Sequence, residues 1–277
     1  MGAVPLSGVM GVLNVTPDSF SDGGMFSRVE VAVEHGRSLH ADGADIVDVG
    51  GESTRPGAEP VPADVESARV LPVIAALVAE AIPVSVDTMK ADVAAAALEE
   101  GAVVVNDVSA GTADERMLEV VAGADAGIVL MHMQGSPATM QQNPRYDDVV
   151  VDVGDALRAR ADAARRAGIG GERILLDPGI GFGKTPAHNL ALLARLDELV
   201  ARLDHPVLVG PSRKSFIGAT LDLPVAERDD PTLATVVWAL ERGASMVRVH
   251  DARAARRAAD LLDALAEASE RTERGAA

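Results

Sequence analysis

The stretch PVSVDTMKADVAAAALEEGAVVVNDV, residues 83–108, contains the unit that decides the fold. Its two short apolar runs, residues 83–87 and 103–108, are rich in valine and end in polar residues, which is typical of buried parallel strands. Between them, residues 91–100 are rich in alanine with charges at the edges, a pattern that favours a helix. A strand, a helix and a second strand in this order predict the crossover unit of a parallel sheet.

The same alternation extends along the chain. Six further apolar runs have the character of buried strands; they cover residues 9–15, 45–49, 127–133, 174–177, 206–210 and 246–250. Helical periodicity or alanine-rich sequence lies between or after them, at residues 29–39, 146–167, 192–203 and 252–268 among others. Eight strands, each followed by a helix, favour a closed (β/α)8 TIM barrel with long loops after strands 1 and 2. An open doubly wound sheet is the alternative, but no G-x-G-x-x-G follows the first strand.

Composition excludes several classes of protein. The 277 residues are 48% hydrophobic, enough for one large barrel, and we expect a single domain over residues 1–277. We place the barrel at about residues 8–265, with a polar tail that frays. The net charge of −17 argues against a nucleic-acid or anionic-membrane partner. The absence of cysteine excludes a disulfide framework and a thiol nucleophile. Because no apolar run is long enough to span a membrane and the start lacks signal-peptide features, we expect a cytoplasmic protein.

Polar side chains at the strand ends predict an active site. A barrel places its chemistry at the C-terminal ends of its strands. Asp87, Asn106 and Asp177 end three separate strands and converge there. Arg248 and His250 end the last strand and point the same way, because alternate strand residues share a face. For these two, a surface ion pair and a core histidine are the alternatives.

Some polar residues at strand ends have a simpler interpretation. Asp and Asn between a strand and a helix often accept hydrogen bonds from the first N–H groups of that helix. For Asp48, Asp107 and Asp251, each taken singly, we favour such a helix cap over a catalytic role.

The loops after the strands carry further signals. Phe20 and Phe182 lie in glycine-rich loops, although the chain has only four Phe. An aromatic ring there suits a flat ligand, and an anchor on the barrel rim is the alternative. Glycine allows positive φ and close backbone approach, and it occupies loop positions 23, 24, 50, 51, 57, 179, 181 and 183.

Basic residues are unevenly distributed in this chain. Of 25 basic residues only Lys90, Lys184 and Lys214 are lysines, so a lysine kept in this sequence is informative about its position. Lys214 belongs to the run SRKS, residues 212–215, which precedes a predicted helical turn. Exposed N–H groups and two cations in this run indicate an anion site.

Taken together, these segments resemble the dihydropteroate synthases, a family of folate-pathway enzymes. The resemblance rests on LNVTPDSFSDGG (13–24), DVGGESTRPG (48–57), SVDT (85–88), NDVS (106–109), LMHMQGSP (130–137), LDPGIGFGKT (176–185), GPSRKSFIG (210–218) and RVHD (248–251). The first two loops and SRKS are very specific, whereas RVHD or SVDT alone would mean little. The match runs in order from about residue 8 to 265. The departures are minor, at Pro211 and at Met25 with Phe26, and remove no functional side chain.

The resemblance implies a substrate site for a pterin diphosphate. The family joins 7,8-dihydropterin-6-ylmethyl diphosphate to 4-aminobenzoate and releases pyrophosphate with the help of Mg²⁺. A pterin has a guanidine-like edge that one carboxylate can bind bidentately, and the resemblance makes Asp177 that carboxylate. The other residues implied around the pterin are Asp87, Asn106, Met131 and Lys214. Those implied at the diphosphate are Asn14, Thr54, Arg248 and His250, with Asn14 also a ligand of Mg²⁺, because an amide oxygen suits a hard cation.

The resemblance further implies an SN1-like step. Mg²⁺ and the cations stabilise the leaving pyrophosphate, and the loops after strands 1 and 2 close and exclude water before the arylamine attacks. The catalytic residues implied are Phe20, Asp22, Arg55, Lys214, Arg248 and His250. The 4-aminobenzoate ring is expected among Pro56, Phe182 and Lys214, with its carboxylate near Ser215.

Other functions remain as alternatives. One is a barrel related to methyltetrahydrofolate corrinoid methyltransferases, another is a non-catalytic paralogue that binds a pterin or a partner without turnover, and a third is a generic phosphosugar barrel. The intact TPDSFSDGG, STRPG and SRKS segments argue against the first, and the presence of Arg55, Asp177, Lys214 and Arg248 argues against the second. The third does not explain the two long loops. The family also implies small-molecule substrates, a homodimer and a sulfonamide target.

Overall fold

A computed structural model describes residues 4–16, 25–54 and 57–275. Its strands are β1 (Gly8–Asn14), β2 (Ile46–Gly50), β3 (Val84–Asp87), β4 (Val104–Asp107), β5 (Gly127–Met131), β6 (Ile174–Asp177), β7 (Leu208–Val209) and β8 (Met246–Val249). Each of the eight predicted strands is confirmed, with ends that differ by no more than two residues.

Ten α-helices lie in the described part of the chain. They are α1 (Met25–Ala41), α2 (Ala63–Ala79), α3 (Ala91–Glu99), α4 (Met117–Gly123), α5 (Val149–Arg166), α6 (Pro186–Ala194), α7 (Leu196–Arg202), α8 (Ser215–Leu221), α9 (Asp229–Glu241) and α10 (Ala252–Gly275). The helical pattern over residues 192–203 is divided between α6 and α7, because Arg195 leaves the helical conformation at φ −111° and ψ 31°. Whereas the sequence predicts fraying after about residue 265, α10 continues to Gly275. No helix in these described ranges has the length and apolar character needed to cross a membrane.

The strands form one parallel sheet that closes on itself. Its order is β6-β5-β4-β3-β2-β1-β8-β7. The two edge strands are joined by a parallel bridge between Leu176 and Val207, and the Leu176 N–H donates to the carbonyl oxygen of Pro206 at 3.0 Å. The structure therefore confirms the (β/α)8 barrel over the open doubly wound sheet.

The barrel interior changes from apolar to polar along each strand. Its closed end is filled by seven buried apolar side chains, Met10, Ile46, Val104, Val129, Leu175, Leu208 and Met246. Each such side chain contributes about 1.5–3 kcal/mol to folding. Because alternate strand residues share a face, the positions two residues further on also point inward. Those positions include Asp48, Asn106, Met131, Asp177 and Arg248. A packed apolar layer thus supports a polar layer at the barrel mouth.

Candidate active site at the barrel mouth

Arg248 is the centre of a hydrogen-bonded charge network in the polar layer. Its Nε donates to Oδ2 of Asp48 at 2.6 Å, and its second terminal nitrogen donates to Oδ2 of Asp87 at 2.8 Å. Asn106 donates from Nδ2 to the same Asp48 oxygen at 2.9 Å. Four strands, β2, β3, β4 and β8, are therefore linked by one buried network, and Arg248 is not the surface ion pair that was the alternative.

The helix-cap interpretation of Asp48 is wrong. Asp48 is fully buried inside the barrel, and its Oδ2 holds Arg248 and Asn106 instead of helix N–H groups. The sequence contained the signal, because Asp48 lies two residues after the inward-facing Ile46, but a carboxylate between a strand and a helix is more often a cap.

The other two carboxylates behave as local caps. Oδ1 of Asp251 accepts from the N–H of Ala254 in the first turn of α10, at 2.9 Å, which confirms the cap. Asp107 accepts from the N–H groups of Ser109 and Gly111, at 2.8 and 2.6 Å. These groups belong to the turn after β4, and α4 starts only at Met117, so Asp107 caps a turn and not a helix.

The charges of this network perturb one another. Burial raises the pKa of Asp87, the neighbouring Arg248 opposes that rise, and the negative charge of Asp48 adds to it. Burial acts to lower the pKa of Arg248, but the two carboxylates outweigh it, so the guanidinium stays charged.

His250 is neutral and held by a hydroxyl group. Burial, together with the positive charges of Arg213 and Arg248, lowers its pKa to about 4. Its Nδ1 lies 2.8 Å from Oγ of Ser212, and its backbone N–H donates to the same oxygen at 3.3 Å. Half-buried at the barrel mouth, it is not the core histidine that was the alternative.

Asp177 has a different environment from Asp48 and Asp87. Its Oδ1 accepts from the N–H of Gly179 at 2.7 Å, which is the one hydrogen bond its side chain makes among the described residues. No guanidinium or ammonium of that part of the chain forms an ion pair with it, although the residue is buried, with 7% of its surface exposed. Burial raises its pKa, and the Gly179 N–H and the charge of Lys214 act against that rise. A buried carboxylate with an open oxygen is suited to bind a ligand that brings its own donors.

Lys214 and Phe182 form the wall beside Asp177. Nζ of Lys214 lies 3.9 Å from the centre of the Phe182 ring, a cation–π contact. Burial and the nearby charge of Arg248 lower the pKa of Lys214 to about 8, against the attraction of Asp177 and Asp87. Of the two cations in the anion site predicted at residues 212–215, Arg213 already has a partner, because its guanidinium pairs with Asp229 at 2.6 Å. The anion site itself stays a prediction.

The loop after β6 packs closely on the loop after β5. Gly179 has φ +69°, and a Cβ at this position would lie 2.0 Å from the carbonyl oxygen of His132. Gly183 has φ +58°, and a Cβ there would lie 2.8 Å from the backbone N and O of Gln134. The predicted requirement for glycine at these two positions is confirmed, and it lets the loop that carries Phe182 pack directly on the backbone of the loop after β5.

The remaining predicted residues divide into three groups. Asn14 lies opposite Gly50, where a Cβ would lie 3.8 Å from the Asn14 amide oxygen and 3.5 Å from Cβ of Asp87. Thr54 is half-buried after β2, and Ser215 is exposed at the first position of α8. Four predicted residues lie outside the described ranges: Phe20, Asp22, Arg55 and Pro56.

Two lysines outside the predicted site have defined partners. Lys90 bridges the carboxylates of Glu52, at the base of the second loop, and Glu66, which is fully buried in α2. Lys184 is 2% exposed and donates to acceptors in the loops after β5 and β6. The scarcity of lysine in this chain was the signal for both, but spacing alone indicated no partner.

The chain is similar to curated enzymes and to solved enzyme structures over nearly its whole length. Residues 10–250 match the family described as pterin binding enzyme. A curated dihydropteroate synthase from Synechocystis is 48% identical over 93% of this chain and 89% of that protein. A Xanthomonas albilineans dihydropteroate synthase solved with 4-aminobenzoic acid is 47% identical, with a TM-score of 0.87 over 94% of this chain and 93% of that one. The complex from that organism with 7,8-dihydropteroate has 44% identity and a TM-score of 0.84 over 94% of this chain and 93% of that one.

Proposed function

The chain belongs to the pterin-binding enzyme family and is a transferase with dihydropteroate synthase activity, and we propose that the barrel mouth described above carries this activity. The reaction joins 7,8-dihydropterin-6-ylmethyl diphosphate to 4-aminobenzoate, and it yields 7,8-dihydropteroate and pyrophosphate. We also propose the residue roles, the Mg²⁺ site and the order of bond breaking.

The proposal rests above all on the environment of the Asp177 carboxylate. Its buried carboxylate has one oxygen on the Gly179 N–H and no cationic partner at bonding distance among the described residues. The N3–H and 2-amino group of a pterin supply two parallel donors, so they satisfy this carboxylate bidentately. In our proposal Asn106 and Asp87 border the pterin on one side, and Met131 packs beside it.

The half of the site in which Arg248 pairs with Asp48 and Asp87, called the paired half below, receives the diphosphate. Arg248 supplies a permanent positive charge, and the neutral His250 can donate or accept a hydrogen bond, depending on which ring nitrogen carries the proton. Thr54 borders this region from the loop after β2. Because both Asp48 and Asp87 already bind Arg248, the guanidinium is fixed before substrate arrives and needs little reorganisation.

Mg²⁺ is part of the proposal, and the residues present fit it. The amide oxygen of Asn14 is a hard donor at the end of β1, near Asp87 and Gly50. Mg²⁺ commonly takes one or two protein oxygens and completes its shell with substrate phosphates and water. When bound, the ion would neutralise charge that develops on the leaving pyrophosphate. The described residues contain no cluster of three or more His, Asp or Glu side chains that could hold a metal, so in our proposal the diphosphate supplies further ligands.

The second substrate occupies the wall formed by Phe182 and Lys214. A flat arylamine can stack on the Phe182 ring, and Ser215 at the exposed start of α8 borders the place proposed for its carboxylate. We propose that the C–O bond to pyrophosphate breaks first, that the electron-rich pterin delocalises the methylene cation, and that the arylamine nitrogen attacks this carbon and then gives one proton to the released pyrophosphate. This order requires no general base from the protein. Closure of the two long loops, with Phe20, Asp22, Arg55 and Pro56, belongs to the same proposal.

The proposal extends to assembly and location. Leu190 on α6, Leu221 on α8 and Trp238 on α9 are 43%, 53% and 43% exposed. These apolar side chains on helices after β6 and β7 support a homodimer in which a second copy covers them. Light scattering after size exclusion would test it, with Trp238→Glu expected to shift the chain to monomer. A cytoplasmic location is also proposed, and cell fractionation would test it.

The first experiment is pyrophosphate release from dihydropterin-methyl diphosphate with Mg²⁺, with and without 4-aminobenzoate. Release coupled one-to-one to dihydropteroate formation is the expected result. Tight pterin binding without release under either condition would instead indicate a non-catalytic barrel. Release that does not depend on 4-aminobenzoate and gives no dihydropteroate would contradict the proposed second-substrate site.

A further inference from the structure

Lys184 is a buried cation that has no role in the proposed reaction. It lies two residues after Phe182 and is 2% exposed. Burial and the charge of Lys214 lower its pKa to about 7, against the attraction of Asp177. Burying an ammonium is unfavourable unless its N–H groups are satisfied, so its contacts need an explanation.

Its three donors meet three acceptors. Nζ lies 3.0 Å from Nδ1 of His132, 3.2 Å from the carbonyl oxygen of His132 and 3.0 Å from the carbonyl oxygen of Phe182. An ammonium has three N–H groups and no acceptor, so Nδ1 of His132 must accept and the ring must be neutral. Burial and the charge of Lys184 lower the pKa of His132 to about 3, in agreement with a neutral ring. No N–H of Lys184 remains for a substrate.

These contacts join two loops that carry parts of the proposed site. His132 follows Met131 at the end of β5, and Phe182 lies in the loop after β6 with Lys214 over its ring. The Phe182 loop is the segment GIGFG, residues 179–183, in which three glycines have positive φ. Such a segment loses much conformational entropy on ordering and needs external contacts to stay in one conformation.

Side chains hold three consecutive carbonyl groups of the Phe182 loop. The amide of Gln141 donates to the carbonyl oxygen of Gly181 at 3.0 Å, and the hydroxyl of Tyr146 donates to that of Gly183 at 2.7 Å. Lys184 holds the middle carbonyl, that of Phe182 itself. Of the three donors it is the one that carries a positive charge below its pKa of about 7, and hydrogen bonds from charged groups are roughly twice as strong as neutral ones.

We propose that Lys184 is a positioning residue for 4-aminobenzoate: it holds the Phe182 loop against the end of β5 and thereby fixes the Phe182 ring on Lys214. This inference rests on the proposed function. Its consequence is a difference between the two substrates. Asp177 and Arg248 lie on strands and keep their positions without Lys184, whereas the ring that stacks on the arylamine depends on the loop.

The test compares Lys184→Met with the unchanged chain in steady-state kinetics for both substrates. Methionine keeps much of the length but has no donor. At about pH 6, where Lys184 is protonated, we expect the KM for 4-aminobenzoate to rise about tenfold or more, which is the effect of losing one charge-assisted hydrogen bond. We expect the dissociation constant of a dihydropterin, measured by calorimetry, to change by less than about twofold. Arg158→Met, which removes a 49% exposed cation paired with Asp155 on α5, is the matched control and should change neither constant.

A double-mutant cycle distinguishes positioning through Phe182 from a general loss of structure. If Lys184 acts through the ring, then Lys184→Met in a Phe182→Ala background should change the KM for 4-aminobenzoate by less than about twofold. Additive effects of the two substitutions would overturn the inference, as would equal losses for both substrates.

A second variant covers the case in which Lys184→Met does not fold. His132 is half-buried, and His132→Ala removes the Nδ1 atom that accepts from Lys184. This variant should also raise the KM for 4-aminobenzoate, by a smaller factor, and leave dihydropterin binding unchanged. A pterin affinity reduced as much as 4-aminobenzoate use would overturn the inference. Failure of the proposed function itself would be visible separately, because the unchanged chain would then release no pyrophosphate.

Discussion

The two halves of the barrel mouth differ in whether their buried carboxylates are paired with a cation. On the side of β2, β3 and β8, Asp48 and Asp87 share Arg248 through hydrogen bonds of 2.6 and 2.8 Å. On the side of β6, Asp177 accepts one backbone N–H and pairs with no cation of the described residues at bonding distance. Both halves are supported by the same apolar layer, so the difference lies in the polar layer alone.

This difference separates stability from binding. In the paired half, Asp48 and Asp87 share the charge of Arg248 before any ligand arrives, although Oδ1 of Asp48 has no hydrogen-bond partner among the described residues. Removal of the guanidinium would therefore leave two buried carboxylates without a cation in the folded protein. In the open half, the unsatisfied group is present already, and a ligand is what satisfies it. Substitutions should therefore destabilise the fold in the paired half and weaken binding in the open half. Functional sites commonly show such local departures from optimal stability.

The largest effect is expected from Arg248→Met. Without the guanidinium, Asp48 and Asp87 stay buried as two carboxylates with no cation, so the free energy of unfolding at neutral pH should fall by about 3–5 kcal/mol. Urea unfolding followed by circular dichroism measures it. At mildly acidic pH the loss should shrink, because burial already raises the pKa of Asp87 and its protonation removes one of the repelling charges.

Arg253→Met provides the matched control for Arg248→Met. Arg253 is 60% exposed and pairs with Asp42 at the surface, so its removal should cost less than about 1 kcal/mol. If both variants unfold within 1 kcal/mol of the unchanged chain, the paired half is not the stabilising element described here.

Asp177→Asn should weaken substrate binding without destabilising the fold, which is the opposite of the effect expected in the paired half. Loss of the charge should weaken dihydropterin binding about 100-fold, or about 2.7 kcal/mol, because only a carboxylate accepts both donors of the guanidine-like edge. The free energy of unfolding should stay the same or rise, because burial raises the pKa of Asp177. Its ionised form therefore costs stability at every pH above its ordinary pKa, and the neutral amide removes that cost.

Calorimetry with a dihydropterin and urea unfolding measure both quantities for Asp177→Asn. Asp177→Ala, which removes every acceptor, should abolish dihydropterin binding. Near-normal dihydropterin affinity in the alanine variant, or clear destabilisation in the asparagine variant, would contradict the interpretation of Asp177 as a buried carboxylate left open for a ligand.

Much of the fold could be predicted from the sequence, and less of the site. The runs that end at Asp87, Asn106 and Asp177 carried enough apolar periodicity to place all three at the barrel mouth, because the period of a strand determines which side chains point inward. The partners could not be predicted in this way. That Asp48 holds Arg248, 200 residues away, depends on how β2 and β8 meet across β1 in the closed barrel, and no local pattern contains that information. Lys184 is similar, because its acceptors lie on two different loops.

A smaller effect is expected from Asp48→Asn. Asparagine keeps the size of the side chain and can still accept from Arg248, but the guanidinium loses one of its two charge partners. We expect the free energy of unfolding to fall by about 1–2 kcal/mol. The kcat/KM for the diphosphate substrate should fall about tenfold, because Arg248 is less firmly held, and the KM for 4-aminobenzoate should stay the same. A fall in kcat/KM for the diphosphate substrate accompanied by a rise in the KM for 4-aminobenzoate would mean that the two halves are coupled more strongly than their contacts indicate.

The smallest effect concerns the pH dependence of Lys214, which lies between the two halves. Burial and the charge of Arg248 lower its pKa to about 8, so the ammonium is charged below that pH and neutral above it. The cation–π contact with Phe182 needs the charged form. At half a pH unit above the pKa about a quarter of Lys214 is still protonated, so kcat/KM for 4-aminobenzoate should have fallen about fourfold there.

Lys214→Arg stays charged over the whole range and should lose this alkaline limb even if its absolute rate is lower. An unchanged limb in the arginine variant would assign the titration to another group, and a flat profile in the unchanged chain up to pH 9 would show that Lys214 keeps its proton despite burial.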